Sequence, residues 1–151
     1  MKQLLLILIV FFSACAVHKT PVKNYSFDVL SVSRAGGFTG NVSGYSIDRN
    51  GEIALIYQFK GKPAQQQFFR QTTLDSVQML FDKIEQIGLN QVSHHATGNM
   101  TLQIAFQKAG DIHSITFIEA QDTAKQFSPI YYEIRDFAAG RGKIKQQNLA
   151  N

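Results

Sequence analysis

Two short segments of alternating apolar residues meet at Asn50-Gly51. Before the junction, residues 42–48 (VSGYSID) carry Tyr45 and Ile47 on one face. After it, Ile53, Leu55, Tyr57 and Phe59 share a face at period two, the spacing of a strand. Asn and Gly both tolerate the positive φ that a two-residue hairpin turn needs. The two segments are therefore expected to fold back on each other as an antiparallel hairpin. An isolated hairpin is marginal in water, so the rest of the chain must supply more strands or a covering layer.

Both are present. Residues 27–34 (FDVLSVSR) place Phe27 and Val29 on one side and Leu30 and Val32 on the other, a strand with both faces partly covered. The turn Lys60-Gly61-Lys62-Pro63 leads to a further strand over Gln65–Arg70. Leu74, Val77, Leu80, Phe81, Ile84 and Ile87 then recur at spacings of three and four, the apolar stripe of a helix. Thr72 and Asp75 have capping-box spacing at its start, and Gly88 is placed to end it, with Leu89 closing over the cap. Residues 89–99 read as a polar loop. A second hairpin follows, with Leu102, Ile104 and Phe106 inward on one strand and Ile115 and Phe117 on the other. Ser128 as N-cap and Pro129 at the first turn open a second helix, with Ile130, Ile134, Phe137 and Ala138 inward and Gly140 at its end. The order β-β-β-β-α-β-β-α predicts an α+β fold: an antiparallel sheet of five or six strands with two helices packed on one face. With 151 residues, 44% of them hydrophobic, the chain has material for one core and one domain, expected over 27–140.

The N-terminus reads differently. Lys2 precedes an unbroken apolar run, Leu4–Phe12, which at nine residues is shorter than the roughly 20 needed to span a bilayer. It suits the apolar region of a signal peptide. Phe12-Ser13-Ala14-Cys15 follows and holds the one Cys of the chain. This segment resembles the lipobox of bacterial lipoproteins, with Phe12 where Leu is usual. The resemblance implies a diacylglyceryl group on the Cys15 thiol, cleavage before Cys15 and acylation of the new amine. Several acyl chains anchor a protein stably, whereas one does not. Ala16 in place of Asp resembles the outer-membrane class. The expectation is a signal peptide over 1–14, then the lipidated Cys and a tether over 15–26, with the domain facing the periplasm. Losing Lys2 lowers the net charge from +4 to +3, and Arg141, Lys143 and Lys145 make residues 141–151 a basic, solvated tail.

Catalytic and metal-binding patterns are scarce. The four histidines are His18, His94, His95 and His113. His94 and His95 are adjacent, so their side chains point apart, and no Cys or acidic residue lies near them in sequence. His113 sits in a strand from which it can approach that loop. Solvated loop histidines are the expectation, with neither metal nor cofactor. No G-x-S-x-G elbow is present, and Gly36, Gly37 and Gly40 lack the Lys and helix of a phosphate loop. Asp75, Asp82 and Glu85 fall on the solvated face of the first helix. A non-catalytic role is therefore expected, and an exported chain is not expected to bind nucleic acid.

The most unusual local segment is Ser33-Arg34-Ala35-Gly36-Gly37-Phe38-Thr39-Gly40. One reading is a turn with Phe38 folded back into the core. The other is a recognition loop that presents Phe38 as an aromatic anchor to a partner. With the element order of residues 27–137, the segment Gly36-Gly37-Phe38-Thr39-Gly40 is similar to emfourin-type proteins, small inhibitors of thermolysin-like metalloproteases. That resemblance implies an inhibitory contact through the loop, which needs preorganisation and no reactive group. A lipid anchor departs from the soluble inhibitors of that family. The function expected is a membrane-anchored protein-binding or scaffolding module of the envelope. Its partners are the membrane, through the lipid, and another envelope protein. The alternatives are a protease inhibitor acting through Gly36–Gly40 and a small-ligand binder that uses the open sheet face with Tyr45, Tyr57 or His113.

Overall fold

The computed structural model describes residues 23–37, 39–121 and 124–142. The expected signal peptide with Cys15, Phe38 and the tail beyond residue 142 lie outside the described residues. Six strands and two helices follow one another: β1 (Val29–Gly36), β2 (Asn41–Asp48), β3 (Glu52–Gln58), β4 (Gln65–Gln71), α1 (Leu74–Gln86), β5 (Met100–Lys108), β6 (Asp111–Ile118) and α2 (Ala124–Ala138). The strands form one sheet in the order β4-β3-β2-β1-β5-β6. Every neighbouring pair is antiparallel. The fold is α+β. No helix among the described residues is long and apolar enough to cross a membrane.

The Asn50-Gly51 hairpin forms as its sequence requires. Gly51 has φ 86°. Asp48 Oδ1 accepts the backbone N–H of Asn50 at 2.9 Å and of Glu52 at 2.8 Å, fixing the turn. A Cβ on Gly51 would meet Thr72 O at 2.5 Å, so only glycine fits where the β4–α1 connection passes. The register β3–β2–β1–β5–β6 puts Ile53, Ile47, Leu30, Phe106 and His113 in one row. Leu55, Tyr45, Val32, Ile104 and Ile115 form the next. Both rows face the helices. The opposite face is lined near its centre by small residues, among them Ser33, Ser46 and Ala54.

Helix α1 buries Val77, Leu80, Phe81 and Ile84. The first and last members of the predicted stripe, Leu74 and Ile87, are each 45% exposed, because they sit at helix ends that overhang the sheet. The N-cap is Thr73, whose side chain accepts the Ser76 N–H at 3.3 Å. The capping box read at Thr72–Asp75 is thus displaced by one residue. Gly88 takes the left-handed conformation (φ 66°) and Leu89 is buried, as the sequence indicated.

Helix α2 begins at Ala124, one turn before the expected Ser128-Pro129 start, and Pro129 lies inside it. A proline this near the N-terminus forfeits one intrahelical bond. The added turn buries Ala124 and Phe127, at 2% and 4% exposure. Packing therefore overrides the local signal. The loop at 89–99 is also more ordered than its polarity suggested. Leu89–Gln91 forms a single 3-10 turn. His95 then bridges in parallel to Thr116, with Ala96 N–H donating to Thr116 O at 2.9 Å. This bridge covers part of the β6 edge.

The packed domain also starts earlier than residue 27. Tyr25 is 5% exposed, with its ring 5.2 Å from that of Phe81. Lys23 pairs with Asp82 at 2.6 Å, and the Ser26 N–H donates to Glu85 Oε1 at 2.5 Å. Asp82 and Glu85 are therefore engaged with this segment rather than only solvated. Tyr25, within the expected tether, thus belongs to the core.

Candidate functional site

Helix α2 runs across the strands. Near its start the Phe127 ring lies 5.5 Å from that of Phe117 on β6, and at its end Phe137 O and Ala138 O accept hydrogen bonds from Arg70 on β4. Helix α1 lies to one side of it, joined by Lys83–Glu133 at 2.7 Å. Together the helices cover the part of the sheet where β1 begins. On the other side of α2, where β1 ends, the helix-facing surface stays open and forms a concavity of about 340 Å³.

Arg34 of β1, Tyr45 of β2, Tyr57 of β3 and Tyr131, Tyr132 and Arg135 of α2 line this concavity. Val32, Leu55 and Leu102 add apolar surface, and Ser43 adds a hydroxyl. Four of the five tyrosines of the chain are gathered here. No carboxylate is among the lining residues.

The strand alternation explains the presence of Arg34. On the helix-facing side β1 presents Leu30, Val32 and then Arg34, which stands opposite Ser43 on β2 and Leu102 on β5. Arg34 takes the third helix-facing position and is solvent-exposed there, because the helices leave that part of the face bare. Among the described residues the Arg34 side chain has no hydrogen bond or ion pair. Arg49 pairs with Asp28, Arg70 with the end of α2, and Arg135 and Arg141 with Asp136. The Arg135 guanidinium is held from two sides. Its Nε and Nη2 donate to Asp136 Oδ1 at 3.1 and 2.8 Å, and it lies 4.4 Å over the Tyr132 ring. The Tyr132 hydroxyl in turn donates to Glu119 Oε1. Burial raises the Tyr131 phenol above its ordinary range, opposed by the positive charges of Arg135 and Arg34. Tyr131 is thus a neutral donor at physiological pH.

The glycine segment lies at the same end of the sheet. Gly36 pairs with Asn41, so residues between them form the β1–β2 turn. Gly36, Gly37 and Gly40 have φ values of 112°, 72° and 62°. A Cβ on Gly36 would come within 2.0 Å of Asn99 O, so the turn is seated against the start of β5. Thr39 and Gly40 are exposed. Phe38, the proposed anchor, lies outside the described residues, as does the proposed lipidation site Cys15.

The remaining sequence candidates separate. Tyr45 and Tyr57 do line one site, but on the helix-facing side rather than the open face expected for a ligand binder. His113 faces the same way at the far end of the sheet, where it stacks on Phe106 (centroids 6.2 Å apart) and its Nε2 lies 2.7 Å from Val92 O. It therefore reaches the 89–99 loop, through a backbone carbonyl. The His94 ring lies 5.3 Å from that of Phe127, and its Nε2 is buried without a partner among the described residues. No group of three His, Cys, Asp or Glu among the described residues is arranged to hold a metal ion.

Sequence reasoning missed Arg135, Tyr131 and Tyr132, and it noted Arg34 only as part of the glycine segment. The available signal was an arginine following Leu30 and Val32 on one face of β1.

Comparison with protein-family models and with curated proteins gives no match for this chain. The emfourin-like and lipoprotein resemblances rest on their motifs, with element order added for the former.

Proposed function

We propose that the chain is a non-catalytic binding module of the bacterial envelope, anchored through lipid on Cys15. It engages another envelope protein at the end of the sheet where the concavity and the Gly36–Gly40 turn meet. The observation that carries this reading is the donor-rich concavity of about 340 Å³ that the two helices leave open. Its volume is at the lower end of the range for ligand sites, and its aromatic and arginine lining is the composition enriched where proteins bind one another. The lining pairs no nucleophile with a base: Ser43 is accompanied by tyrosines and arginines, with no histidine or carboxylate. Binding is the chemistry this set of groups suits.

The test is site-specific photocrosslinking of the full-length protein in its envelope. A crosslinking residue at Tyr57 or Thr39 is expected to trap the same protein, while one at Ile112, exposed at the far end of the sheet, does not. Crosslinks from Ile112 alone would overturn the assignment. A metalloprotease in the trapped band would make the same surface inhibitory, as the emfourin-like segment suggests. Incorporation of an alkyne-labelled fatty acid reads the anchor in the same cells and is expected to disappear in Cys15→Ser.

A further inference from the structure

We infer that the concavity recognises a carboxylate carried on a small apolar body, with Arg34 as the group that grips it. The inference rests on the reading of this concavity as a binding surface and specifies what enters it.

Arg34 is the central observation. It is held on a β-strand in the middle of the sheet, at a position that alternation turns toward the helices. Its neighbours across the strands, Ser43 and Leu102, are neutral. Among the described residues it has no counter-ion, although Arg49, Arg135 and Arg141 each have a carboxylate partner. A second guanidinium, Arg135, reaches the same space from α2, its orientation set by Asp136 and the Tyr132 ring. Of the acidic groups on that side, Asp136 pairs with Arg135 and Glu119 accepts from Tyr132. The β3–β4 turn, at the same end of the sheet, adds Lys60 and Lys62. The local charge is therefore positive and complements an anion.

The remaining lining narrows the anion. A guanidinium fork matches a planar carboxylate with two parallel hydrogen bonds, and tyrosine hydroxyls can complete the set. A phosphate dianion is favoured by backbone N–H groups at a helix N-terminus. This concavity lies beside the C-terminal half of α2 instead. Val32, Leu55, Leu102 and the tyrosine rings provide an apolar surface for the body of the ligand. A volume of about 340 Å³ suits a group of one or two amino-acid residues. The carboxylate can belong to a free organic acid or to the C-terminus of a peptide chain, and the shared chemistry is the same.

Tyrosine emission gives a direct readout, since the chain has no Trp and four of its five tyrosines line the site. Full-length protein in detergent is titrated with N-acetylleucine, its amide, 3-methylbutyl phosphate, 4-methylpentanoate and N-acetyl-Gly-Gly-Leu. N-acetylleucine is expected to change the emission saturably. The amide should bind at least about tenfold more weakly, the loss expected when a charge-assisted hydrogen-bond pair is removed. Arg34→Ala should weaken the acid by a similar factor with an unchanged melting temperature, and Arg34→Lys should recover only part of the affinity. Tighter binding of N-acetyl-Gly-Gly-Leu than of 4-methylpentanoate identifies a chain terminus as the source, and the reverse identifies a free acid. The inference is overturned if acid and amide bind alike, if no probe changes the emission, if the phosphate ester binds more tightly than the acid, or if Arg34→Ala binds as the parent does. Failure here with Tyr57 crosslinks intact removes the carboxylate and leaves the protein-binding reading. Carboxylate binding without any protein crosslink from Tyr57 removes that reading and leaves a site for a free acid.

Discussion

Arg70 ends a helix to which it does not belong. Its Nε donates to Ala138 O at 2.9 Å and its Nη2 to Phe137 O, while the guanidinium lies 5.9 Å from the Phe137 ring. The last carbonyls of a helix lack intrahelical partners and carry partial negative charge, so a cation placed there satisfies both needs. Arg70→Ala is expected to destabilise the fold by about 1–3 kcal/mol in urea unfolding, with Arg70→Lys recovering only part. Tyr25 gives a pH-dependent counterpart. Burial, foremost, and then the hydrogen bond and negative charge of Asp82 push its phenol well above the ordinary tyrosine value of 10.0. A raised folded pKa means that its contribution is fully present below the unfolded value and is lost as pH rises beyond it. Stability should therefore decline from about pH 10 upward. Tyr25→Phe should flatten part of that decline, seen as melting temperatures that converge with the parent's at high pH. Tyr131, also raised, retains the rest.

At the scale of elements, β4 stands apart. Six of its seven residues, all but Arg70, are exposed, including Phe68 at 60% and Phe69 at 41%. It occupies one edge of the sheet, with a bulge opposite Ile53/Ala54. The bulge interrupts the pairing at Phe69, whose ring packs against that of Tyr45 on β2 (centroids 5.7 Å apart). The β6 edge is partly covered by the His95–Thr116 bridge, whereas no strand among the described residues covers the outer edge of the uncharged Gln65–Phe69 stretch. Uncharged apolar edges invite pairing with other chains. Phe68→Lys is expected to reduce concentration-dependent association in sedimentation velocity while changing stability by no more than about 0.5 kcal/mol. Other elements show why boundaries are uneven in the sequence. Asn50-Gly51 and Gly88 act through their own backbone, so their turns could be read directly. Helix α2 was read a turn too short, since its first turn is stabilised by burying Ala124 and Phe127 rather than by a local cap.

For the whole molecule, the antiparallel sheet and its two covering helices were legible because four of the five strand pairs join neighbours in sequence, β1–β5 being the exception. The site was less so. Tyr45 and Tyr57 could be picked out as polar groups on strands, but their placement required knowing which part of the helix-facing surface α2 leaves bare. Arg34 shares the concavity with Tyr131 and Arg135 only through tertiary packing, and no local periodicity records a juxtaposition across about a hundred residues. The pinned N-terminal segment carries a consequence of its own. Lys23, Tyr25 and Ser26 are fastened to α1 at the end of the domain where β1 begins, whereas the concavity opens where β1 finishes. With Cys15 acylated, as proposed, eight peptide links separate the bilayer surface from Lys23, a leash of about 28 Å at full stretch. Under that proposal the protein has a near pole and a far pole: the leash attaches at the end where β1 begins, and the concavity lies at the end away from the attachment.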